Sequence, residues 1–332
     1  MLYMEVSVNA IKSNIEKIRK VLGNRKLYAV IKANAYGVGF EIAKVFEKEV
    51  DGLCVANAYE LNELRKLGVK APVLILGRVE NFDYDNNSIV SISSIDEMKK
   101  LKRKRVAIKI NTGMNRRGCE AEEFEKLYFA TIKSGCEVDS VFSHLYNAQD
   151  EKISQNQYEI FENATAFLSG KVKRHLCASN CLIAPPKYLF DGARVGLALY
   201  GYGYESLTPT VRLYGVIEQI NTVLKGQNIG YGNFVAPKNM RVATVSVGYG
   251  DGVSANAKIP CEINGIRCYS VGRICMDFLS VDVSEVKCKA GDRAYFSCGS
   301  LSLDEFASAQ NKILHETLCA LSARVRRKYC DR

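Results

Sequence analysis

Apolar strand-like runs alternate with amphipathic stretches from about residue 8 to about residue 205. The predicted buried strands are Leu27–Ile31, Gly52–Val55, Val73–Leu76, Ile89–Ile92, Val106–Ile110, Val138–Phe142, Lys173–Cys177 and Val195–Tyr200. Helical spacing of apolar residues marks, among others, Phe40–Glu49, Ala58–Leu67, Ala121–Ser134 and Ile153–Leu168. Strands that alternate with helices in this way predict an α/β domain, residues 8–205, built as a parallel (β/α)8 barrel. An open doubly wound sheet is the alternative, but no G-x-G-x-x-G follows the first strand.

Beyond residue 205 the pattern changes to short apolar runs separated by Gly, Asn and Asp turns. Such spacing is typical of an all-β domain. The predicted strands are Val211–Ile220, Arg241–Val247, Ile259–Ile263, Arg267–Val271, Leu279–Val283 and Arg293–Ser297. One helix, from Leu303 to about Leu321, is predicted to close this domain. We therefore predict a mostly-β second domain at residues 206–332, to which residues 1–7 can also belong.

The 332-residue chain has the composition of an ordinary globular protein, with 47% hydrophobic and 25% charged residues. No run approaches the ~18 apolar residues of a membrane helix. The first residues also lack the basic and then apolar pattern of a signal peptide. We therefore expect a cytoplasmic protein with no membrane partner.

The net charge of +10 raises the question of a nucleic-acid partner. The densest basic run, Lys99–Arg105, has no interleaved aromatic residues on which bases could stack. It suits the solvated end of a helix that starts at Ser94, because cations favour helix carboxyl ends. We expect no nucleic-acid binding.

The twelve cysteines are scattered, with no C-x-x-C pair, and the chain has only three histidines. This pattern predicts reduced and mostly buried thiols. A zinc cluster is not expected, and no metal is predicted.

Residues that can carry chemistry fall where the predicted barrel strands end. Lys32 and Tyr36 follow the first strand, and a lysine held there can form a Schiff base. The alternative is that Lys32 extends to solvent. Taken singly, His144 and His175 suit ordinary buried histidines, and Arg194 suits a surface ion pair. The carboxyl ends of barrel strands meet at one rim. The convergence of these residues on that rim is therefore stronger evidence for a functional site than any one of them alone.

Seven segments, in chain order, resemble the alanine racemases, a family of two-domain pyridoxal-phosphate enzymes. They are Val30–Gly39, Lys109–Arg116, Arg194–Gly201, Ile229–Gly232, Gly248–Gly252, Val271–Asp277 and Leu321–Arg327. The resemblance covers nearly the whole chain. It implies an amino-acid racemase (an isomerase) that binds pyridoxal 5′-phosphate and forms a homodimer with shared active sites.

The resemblance implies two bases, one on each face of the substrate. Lys32 would hold the cofactor covalently and act on one face, and Tyr231 of the partner subunit would act on the other. Arg116 would bind both the cofactor and the substrate carboxylate, and Met276 would bind that carboxylate through its backbone amide. Lys109 matches a lysine that is carbamylated in many members and orients the arginine.

The other matched positions surround the cofactor or the entry channel. Arg194 would face the pyridine nitrogen, with His175 and His144 behind it. The cofactor contacts implied by the resemblance are Tyr36, Arg116, His144, His175, Ser179, Arg194, Gly196, Leu197 and His315. Tyr249, Arg273 and Asp277 would line the entry channel.

Two departures from the family pattern bear on the substrate. Ala178 stands where asparagine is usual, and His315 stands where a tyrosine crowds the substrate side chain. The leading hypothesis is racemisation of L-alanine and D-alanine for cell-wall precursors. A racemase for serine or another amino acid is the second hypothesis. The third is a non-catalytic pyridoxal-phosphate-binding regulatory protein, although barrel relatives of that kind lack a β domain.

Overall fold

The computed structural model of the protein describes residues 1–79, 85–101, 103–298 and 300–331. The chain divides into two compact units. The barrel unit comprises Ala10–Ala35 and Phe40–Pro209, and the β unit comprises Met1–Asn9, Tyr36–Gly39 and Thr210–Arg332. The short segment Tyr36–Gly39 therefore belongs to the β unit, although the chain on either side of it belongs to the barrel unit.

The barrel unit is built on a parallel sheet. The first strand of the chain, β1 (Tyr3–Ser7), lies in the β unit. The barrel strands are β2 (Lys26–Val30), β3 (Gly52–Val55), β4 (Val73–Ile75), β5 (Ser88–Ile92), β6 (Arg105–Lys109), β7 (Glu137–Phe142), β8 (Lys173–His175) and β9 (Gly192–Val195). Among the described residues these eight strands pair in parallel in the order β8-β7-β6-β5-β4-β3-β2-β9. The backbone amides of Asp191 and Arg194 donate to the carbonyls of Arg174 and Cys177, which brings β9 against β8 and nearly closes the barrel.

One helix precedes β2, further helices follow most of the barrel strands, and each buries one face. Their bounds are Val8–Leu22, Ala43–Glu49, Ala58–Lys66, Ile95–Met98, Ala121–Lys133 and Glu151–Thr165. In Ala121–Lys133, for example, Phe124, Leu127 and Thr131 are buried at the helical spacing that the sequence shows. The predicted (β/α)8 barrel is confirmed, and its carboxyl rim collects the loops that follow the strands.

The strand predicted at Val195–Tyr200 is wrong beyond its first residue. The strand β9 ends at Val195, and Leu197–Tyr200 forms a 3-10 turn after Gly196. Val195 and the residues Leu197–Tyr200 are all buried and apolar. Hydrophobicity alone therefore could not separate a buried turn from a buried strand.

The chain after β2 also differs from a simple strand end. Ala33, Asn34, Ala35 and Tyr36 all have φ of 53–54°, which makes them a left-handed turn directly after Lys32. Residues other than glycine adopt this conformation only when their surroundings hold them in it. Nothing in the apolar pattern of the sequence signals it.

The β unit is a mostly antiparallel sheet. Its other strands are β10 (Val211–Val223), β11 (Met240–Val245), β12 (Pro260–Ile263), β13 (Ile266–Val271), β14 (Leu279–Asp282), β15 (Arg293–Ser297) and β16 (Arg326–Cys330). Within the described residues the order is β11-β14-β13-β12-β15-β10-β1-β16, and β11 also pairs with β10. Only the pair formed by β1 and β16 is parallel among these pairings. The predicted mostly-β architecture is confirmed.

Two predicted helices are too long. The helix expected from Leu303 to Leu321 is two helices, Leu303–Ser308 and Leu314–Ala320, because Asn311 takes a left-handed φ of 54° between them. The helix expected from Ser94 through the basic run ends at Met98, and β6 already begins at Arg105. The basic residues after Lys99 therefore form a connection to a strand, and Lys102 lies outside the described residues.

Across the part of the chain that the structure describes, no helix has both the length and the apolar character required to cross a bilayer. The same residues contain no group of three or more His, Cys, Asp or Glu side chains arranged to hold a metal ion.

Candidate functional site

Five cations of the barrel unit lie at or just after the carboxyl ends of its strands. Lys32 lies two residues after β2, Lys109 ends β6, Arg116 and Arg117 follow β6, and Arg194 lies in β9. Burial, and after it the positive charges of Arg116, Arg194, Arg117 and Lys32, together lower the pKa of Lys109 to about 8. Lys109 is 8% exposed. The site is therefore electropositive and suits an anionic ligand.

Arg194 is buried and held from several sides. Its Nη1 donates to His175 Nδ1 at 2.6 Å and to the His175 carbonyl at 2.9 Å. Its Nη2 donates to the Ser143 carbonyl at 2.5 Å and lies 3.4 Å from His144 Nδ1. The guanidinium carbon lies 4.9 Å from the ring centroid of Phe142. These contacts fix the plane of the guanidinium group.

The two histidines beside Arg194 are held in the neutral form. Burial, and after it the charge of Arg194 and other nearby cations, lower the pKa of His144 to about 3. Burial and Arg194 also lower the pKa of His175. Because Arg194 can only donate, His175 accepts at Nδ1 and carries its proton on Nε2. The His175 ring stacks on Phe142, with 5.4 Å between centroids.

A small polar cradle forms where β9 ends. The backbone amides of Gly196 and Ala198 both donate to Ser179 Oγ at 3.3 Å. Leu197 lies between them at the start of the 3-10 turn. Asn180 bonds to the Ala178 amide at 2.8 Å and to Cys177 Sγ at 3.8 Å, so its side chain serves the local turn.

A buried hydrogen-bond chain links the loop that carries Arg116 to the loop that carries His144. Gln157 Nε2 donates to Thr112 Oγ1 at 2.9 Å and to the His144 carbonyl at 3.0 Å. Thr112 Oγ1 lies 2.8 Å from Ser143 Oγ, which donates to the Ile110 carbonyl. Gln157 is absent from the residues that the sequence singled out, because its partners are far away in the chain.

Arg117, which no sequence pattern singled out, connects the same loop to neighbouring strands. It donates to the Leu76 carbonyl, to the Ser91 hydroxyl at 2.6 Å and to the Ser91 carbonyl at 2.9 Å. Its Nη2 also lies 3.1 Å from Glu97 Oε2. The loop from Asn111 to Arg117 is therefore anchored at both ends.

The remaining predicted site residues lie in the β unit. Tyr231 pairs with Arg273 in an isolated antiparallel bridge, and Tyr231 is 68% exposed. The amides of Tyr249 and Gly250 donate to the carbonyls of Cys275 and Met276, so the turns that carry Tyr249 and Met276 lie side by side. Asp277 accepts from Arg324 at 2.7 Å. The β unit thus brings Tyr231 and Arg273 together, and Tyr249, Met276 and Asp277 together.

Tyr36 and His315 also lie together within the β unit, with 6.0 Å between their ring centroids. The segment that contains Tyr36 is fastened there by Arg327 Nε, which donates to the Gly37 carbonyl at 2.7 Å. The Tyr329 hydroxyl donates to the Val38 carbonyl at 3.0 Å. Gly37 has a φ of 76°, and a Cβ there would lie 1.9 Å from the Leu318 carbonyl oxygen.

Two family models match the chain. The model of the alanine racemase N-terminal domain matches residues 6–203, and that of the alanine racemase C-terminal domain matches residues 210–329. The chain belongs to the alanine racemase family. The resemblance seen in its motifs is confirmed, and with it the prediction of an amino-acid racemase, an isomerase of a family that depends on pyridoxal 5′-phosphate.

Relatives align over both units. The alanine racemase of Variovorax paradoxus is 31% identical, over 96% of this chain and 96% of the relative. That of Vesicomyosocius okutanii is 30% identical, over 97% of each chain. The solved alanine racemase of Acinetobacter baumannii has a TM-score of 0.87 at 26% identity, over 99% of each chain. That of E. faecalis has a TM-score of 0.90 at 27% identity, over 99% of this chain and 98% of the other.

The residues of the barrel unit fit the cofactor of this family. Lys32 offers the amine that pyridoxal 5′-phosphate requires, and the surrounding cations match its phosphate and the substrate carboxylate. The Ser179 hydroxyl, which is held in place by the amides of Gly196 and Ala198, is a donor of the kind that binds phosphate oxygens. The donor set is therefore right for this group.

Proposed function

We propose that the chain interconverts L-alanine and D-alanine with the help of pyridoxal 5′-phosphate. The observation that carries the proposal is the group of cations around Lys32, Lys109 and the buried, rigidly held Arg194. A carboxylate substrate and a phosphorylated cofactor both need positive charge in this place. Membership of the alanine racemase family supports the same choice.

We assign the two proton transfers to Lys32 and Tyr231. Bound pyridoxal phosphate withdraws electrons from the substrate and so makes the proton on its Cα acidic. Racemisation removes that proton on one face and returns a proton on the other, so two bases must flank the carbon. Lys32 Nζ, which would also hold the cofactor covalently, serves one face. The hydroxyl of Tyr231 from a partner subunit serves the other.

Other side chains are assigned to hold and orient the cofactor and the substrate. Arg194 would donate a hydrogen bond to the ring nitrogen of the cofactor, and its contacts with His175 and Ser143 keep the guanidinium plane fixed. An arginine does not readily give up its proton, so it would leave the ring nitrogen unprotonated and so disfavour side reactions. In the barrel unit, Ser179, Gly196 and Leu197 would bind the phosphate and Arg116 the substrate carboxylate. In the β unit, Tyr36 and His315 are assigned to the phosphate and the Met276 amide to the carboxylate, as the family resemblance implies.

Lys109 is proposed to carry a carbamate. Its pKa of about 8 makes the neutral amine accessible near physiological pH. Reaction with carbon dioxide would form one N–C bond and release one proton to solvent. The product would be an anion beside Arg116, which it would orient.

A homodimer with shared active sites follows from assigning Tyr231 and Met276 to a partner. Both side chains are exposed in the β unit, at 68% and 52%, as residues that enter another subunit's site must be. Tyr249, Arg273 and Asp277 would line the channel to that site. We place the enzyme in the cytoplasm, where D-alanine is made for cell-wall precursors.

A serine racemase is the second candidate. It is favoured by His315, which lies against Tyr36 at a ring distance of 6.0 Å. A histidine at this position has a polar ring in place of a phenol, so it offers a hydroxylated side chain a different neighbour.

Turnover of the two amino acids decides between the candidates. Purified protein with added pyridoxal 5′-phosphate is expected to racemise L-alanine with a kcat/KM at least about tenfold above that for L-serine, since even one pocket group is worth this much discrimination. Lys32→Ala should abolish both activities and the absorbance of the protein-bound cofactor. Preference for serine would reject the alanine assignment, and activity in Lys32→Ala would reject the role of Lys32.

A further inference from the structure

The carboxylate of Glu60 joins two backbone amides on neighbouring barrel loops. Its Oε1 accepts from the amide of Ala33 at 2.7 Å, and its Oε2 accepts from the amide of Ala56 at 2.6 Å. Ala33 directly follows Lys32, and Ala56 directly follows β3. Glu60 is 9% exposed, so both hydrogen bonds are shielded from water.

Glu60 is itself fixed by the start of its helix. It is the third residue of Ala58–Lys66, and its amide donates to the side chain of the N-cap residue Asn57 at 3.0 Å. The amide of Ala56, the residue before the N-cap, donates to the Glu60 carboxylate, so the contact resembles a capping box shifted by one residue. This cap needs only one carboxylate oxygen, which leaves the other for Ala33.

The turn that receives this bond is one that needs support. Ala33, Asn34 and Ala35 all have left-handed φ values of 53–54°. Within the barrel unit, Ala35 donates to the Ile31 carbonyl at 2.8 Å, and Asn34 Oδ1 accepts from the Phe40 amide at 2.9 Å. The bond to Glu60 acts at the first of the left-handed residues, next to Lys32.

The helix that follows β5 supplies a comparison. Glu97 is also the third residue of its helix, after the N-cap residue Ser94, and its carboxylate accepts from the Ser93 amide at 2.7 Å. Its contact beyond the cap is with Arg117 and not with the turn after β2. The contact with Ala33 is therefore a property of Glu60 and not of such caps in general.

We propose that Glu60 is a positioning residue for Lys32, and this inference rests on the proposed function. By holding the Ala33 amide, its carboxylate sets the direction in which the Lys32 side chain leaves the main chain. Lys32 Nζ would then face the cofactor without a rearrangement of the turn. Part of the entropic cost of ordering this turn is therefore met before the cofactor binds.

Covalent labelling of Lys32 tests this without relying on turnover. The full-length apoprotein is titrated with pyridoxal 5′-phosphate, the lysine link is reduced with borohydride, and mass spectrometry gives the labelled fraction at Lys32. Glu60→Gln is expected to need about tenfold more cofactor for half-labelling, the size expected from losing one charge-assisted hydrogen bond. Its kcat should fall by more than its KM rises.

Glu305→Gln is the matched control. Glu305 closes the cap of Leu303–Ser308 with Ser302 and also forms an ion pair with Arg267, so the variant loses a cap and a second contact within the β unit. It should label Lys32 as the wild type does. Glu60→Asp keeps the charge but is too short to reach both amides, so it should behave like Glu60→Gln.

The outcomes separate the inference from the proposed function. Wild-type labelling in both Glu60 variants would overturn the inference alone. So would a loss of labelling that merely follows the loss of folded protein, measured by circular dichroism on the same samples. A wild-type protein that is never labelled at Lys32 would overturn the proposed function and the inference together.

Discussion

Lys109 is a cation placed where positive charge is least favourable. It is 8% exposed, and burial together with Arg116, Arg194 and Arg117 lowers its pKa to about 8. As pH rises through 8 the side chain becomes a neutral amine, which is the form that reacts with carbon dioxide. The carbamate would then be attracted by the same arginines that disfavour the ammonium group.

Bicarbonate should therefore stabilise the protein at pH 8. Because the carbamate forms only in the folded site, its binding energy adds to the stability of the folded chain. We expect the melting temperature of the wild type to rise by about 2 °C, which is the shift that about 1 kcal/mol of added stability causes in a large domain. Lys109→Met should not respond. The wild-type response should shrink at pH 6, where the amine is protonated.

The measurement is differential scanning calorimetry with and without bicarbonate, paired with a carbon-13 spectrum of protein in labelled bicarbonate. An equal shift in wild type and Lys109→Met would show a general salt effect and would contradict a carbamate at this lysine.

At the residue scale, the sequence singles out side chains that can carry chemistry more readily than side chains that hold them in position. Lys32, Lys109, His175 and Arg194 are singled out because they lie at or near strand ends and because the family resemblance assigns them roles. The pattern Asn57-x-x-Glu60 predicts the helix cap. It cannot predict the bond from Glu60 to Ala33, since 27 positions separate the two residues and only the folded barrel brings them together. The same applies to Gln157 and Thr112.

The helix Glu151–Thr165 does more than cover the barrel. Through Gln157 it binds two loops that follow different strands, those after β6 and β7. Gln157 is 1% exposed, and its side-chain oxygen accepts from the Tyr146 amide at 3.1 Å. The helix therefore fixes the spacing between the loop of Arg116 and the loop of His144.

Leucine has a similar volume to glutamine, yet replacing Gln157 with leucine should destabilise the protein. The His144 carbonyl and the Tyr146 amide would lose a buried partner, and each unsatisfied group costs about 1–3 kcal/mol. We expect the free energy of unfolding to fall by about 2–4 kcal/mol in urea titrations. Asn156→Leu, at the exposed neighbouring position of the same helix, should change it by less than about 0.5 kcal/mol. Equal effects would mean that the hydrogen bonds of Gln157 contribute little.

At the element scale, the strand centres were predictable and several ends were not. Buried apolar runs place β3, β5 and β7 within one residue of their true bounds. The errors fall where the backbone leaves the ordinary regions. Examples are Asn311 at a φ of 54°, which divides the last predicted helix, and Ala33 to Tyr36 after β2. Left-handed backbone in residues other than glycine has little sequence signal.

The sequence order conceals how each unit is assembled. β1 and β16, from opposite ends of the chain, pair in parallel inside the β unit. Residues Tyr36–Gly39 belong to that unit too, although they follow directly from the strand that leads to Lys32. Such pairings join positions some 300 residues apart, so local hydrophobic patterns do not reveal them.

Shared active sites make a prediction about mixed subunits. If Lys32 and Tyr231 of one site come from different chains, Lys32→Ala and Tyr231→Phe homodimers each lack a base in both sites. A heterodimer of the two variants places both defects in one site and leaves the other site intact. Random reassociation of equal amounts makes half of the dimers heterodimers, so about one quarter of the wild-type activity should return.

The experiment mixes the two variants after dissociation in mild denaturant and follows racemisation of L-alanine as the denaturant is removed. Each variant refolded alone is the control, and sedimentation establishes the dimer in every sample. Regained activity requires that the exposed Tyr231 of one chain serves the Lys32 of another. If dimers form and no activity returns, both bases act within one chain, and the exposure of Tyr231 and Met276 needs a different explanation.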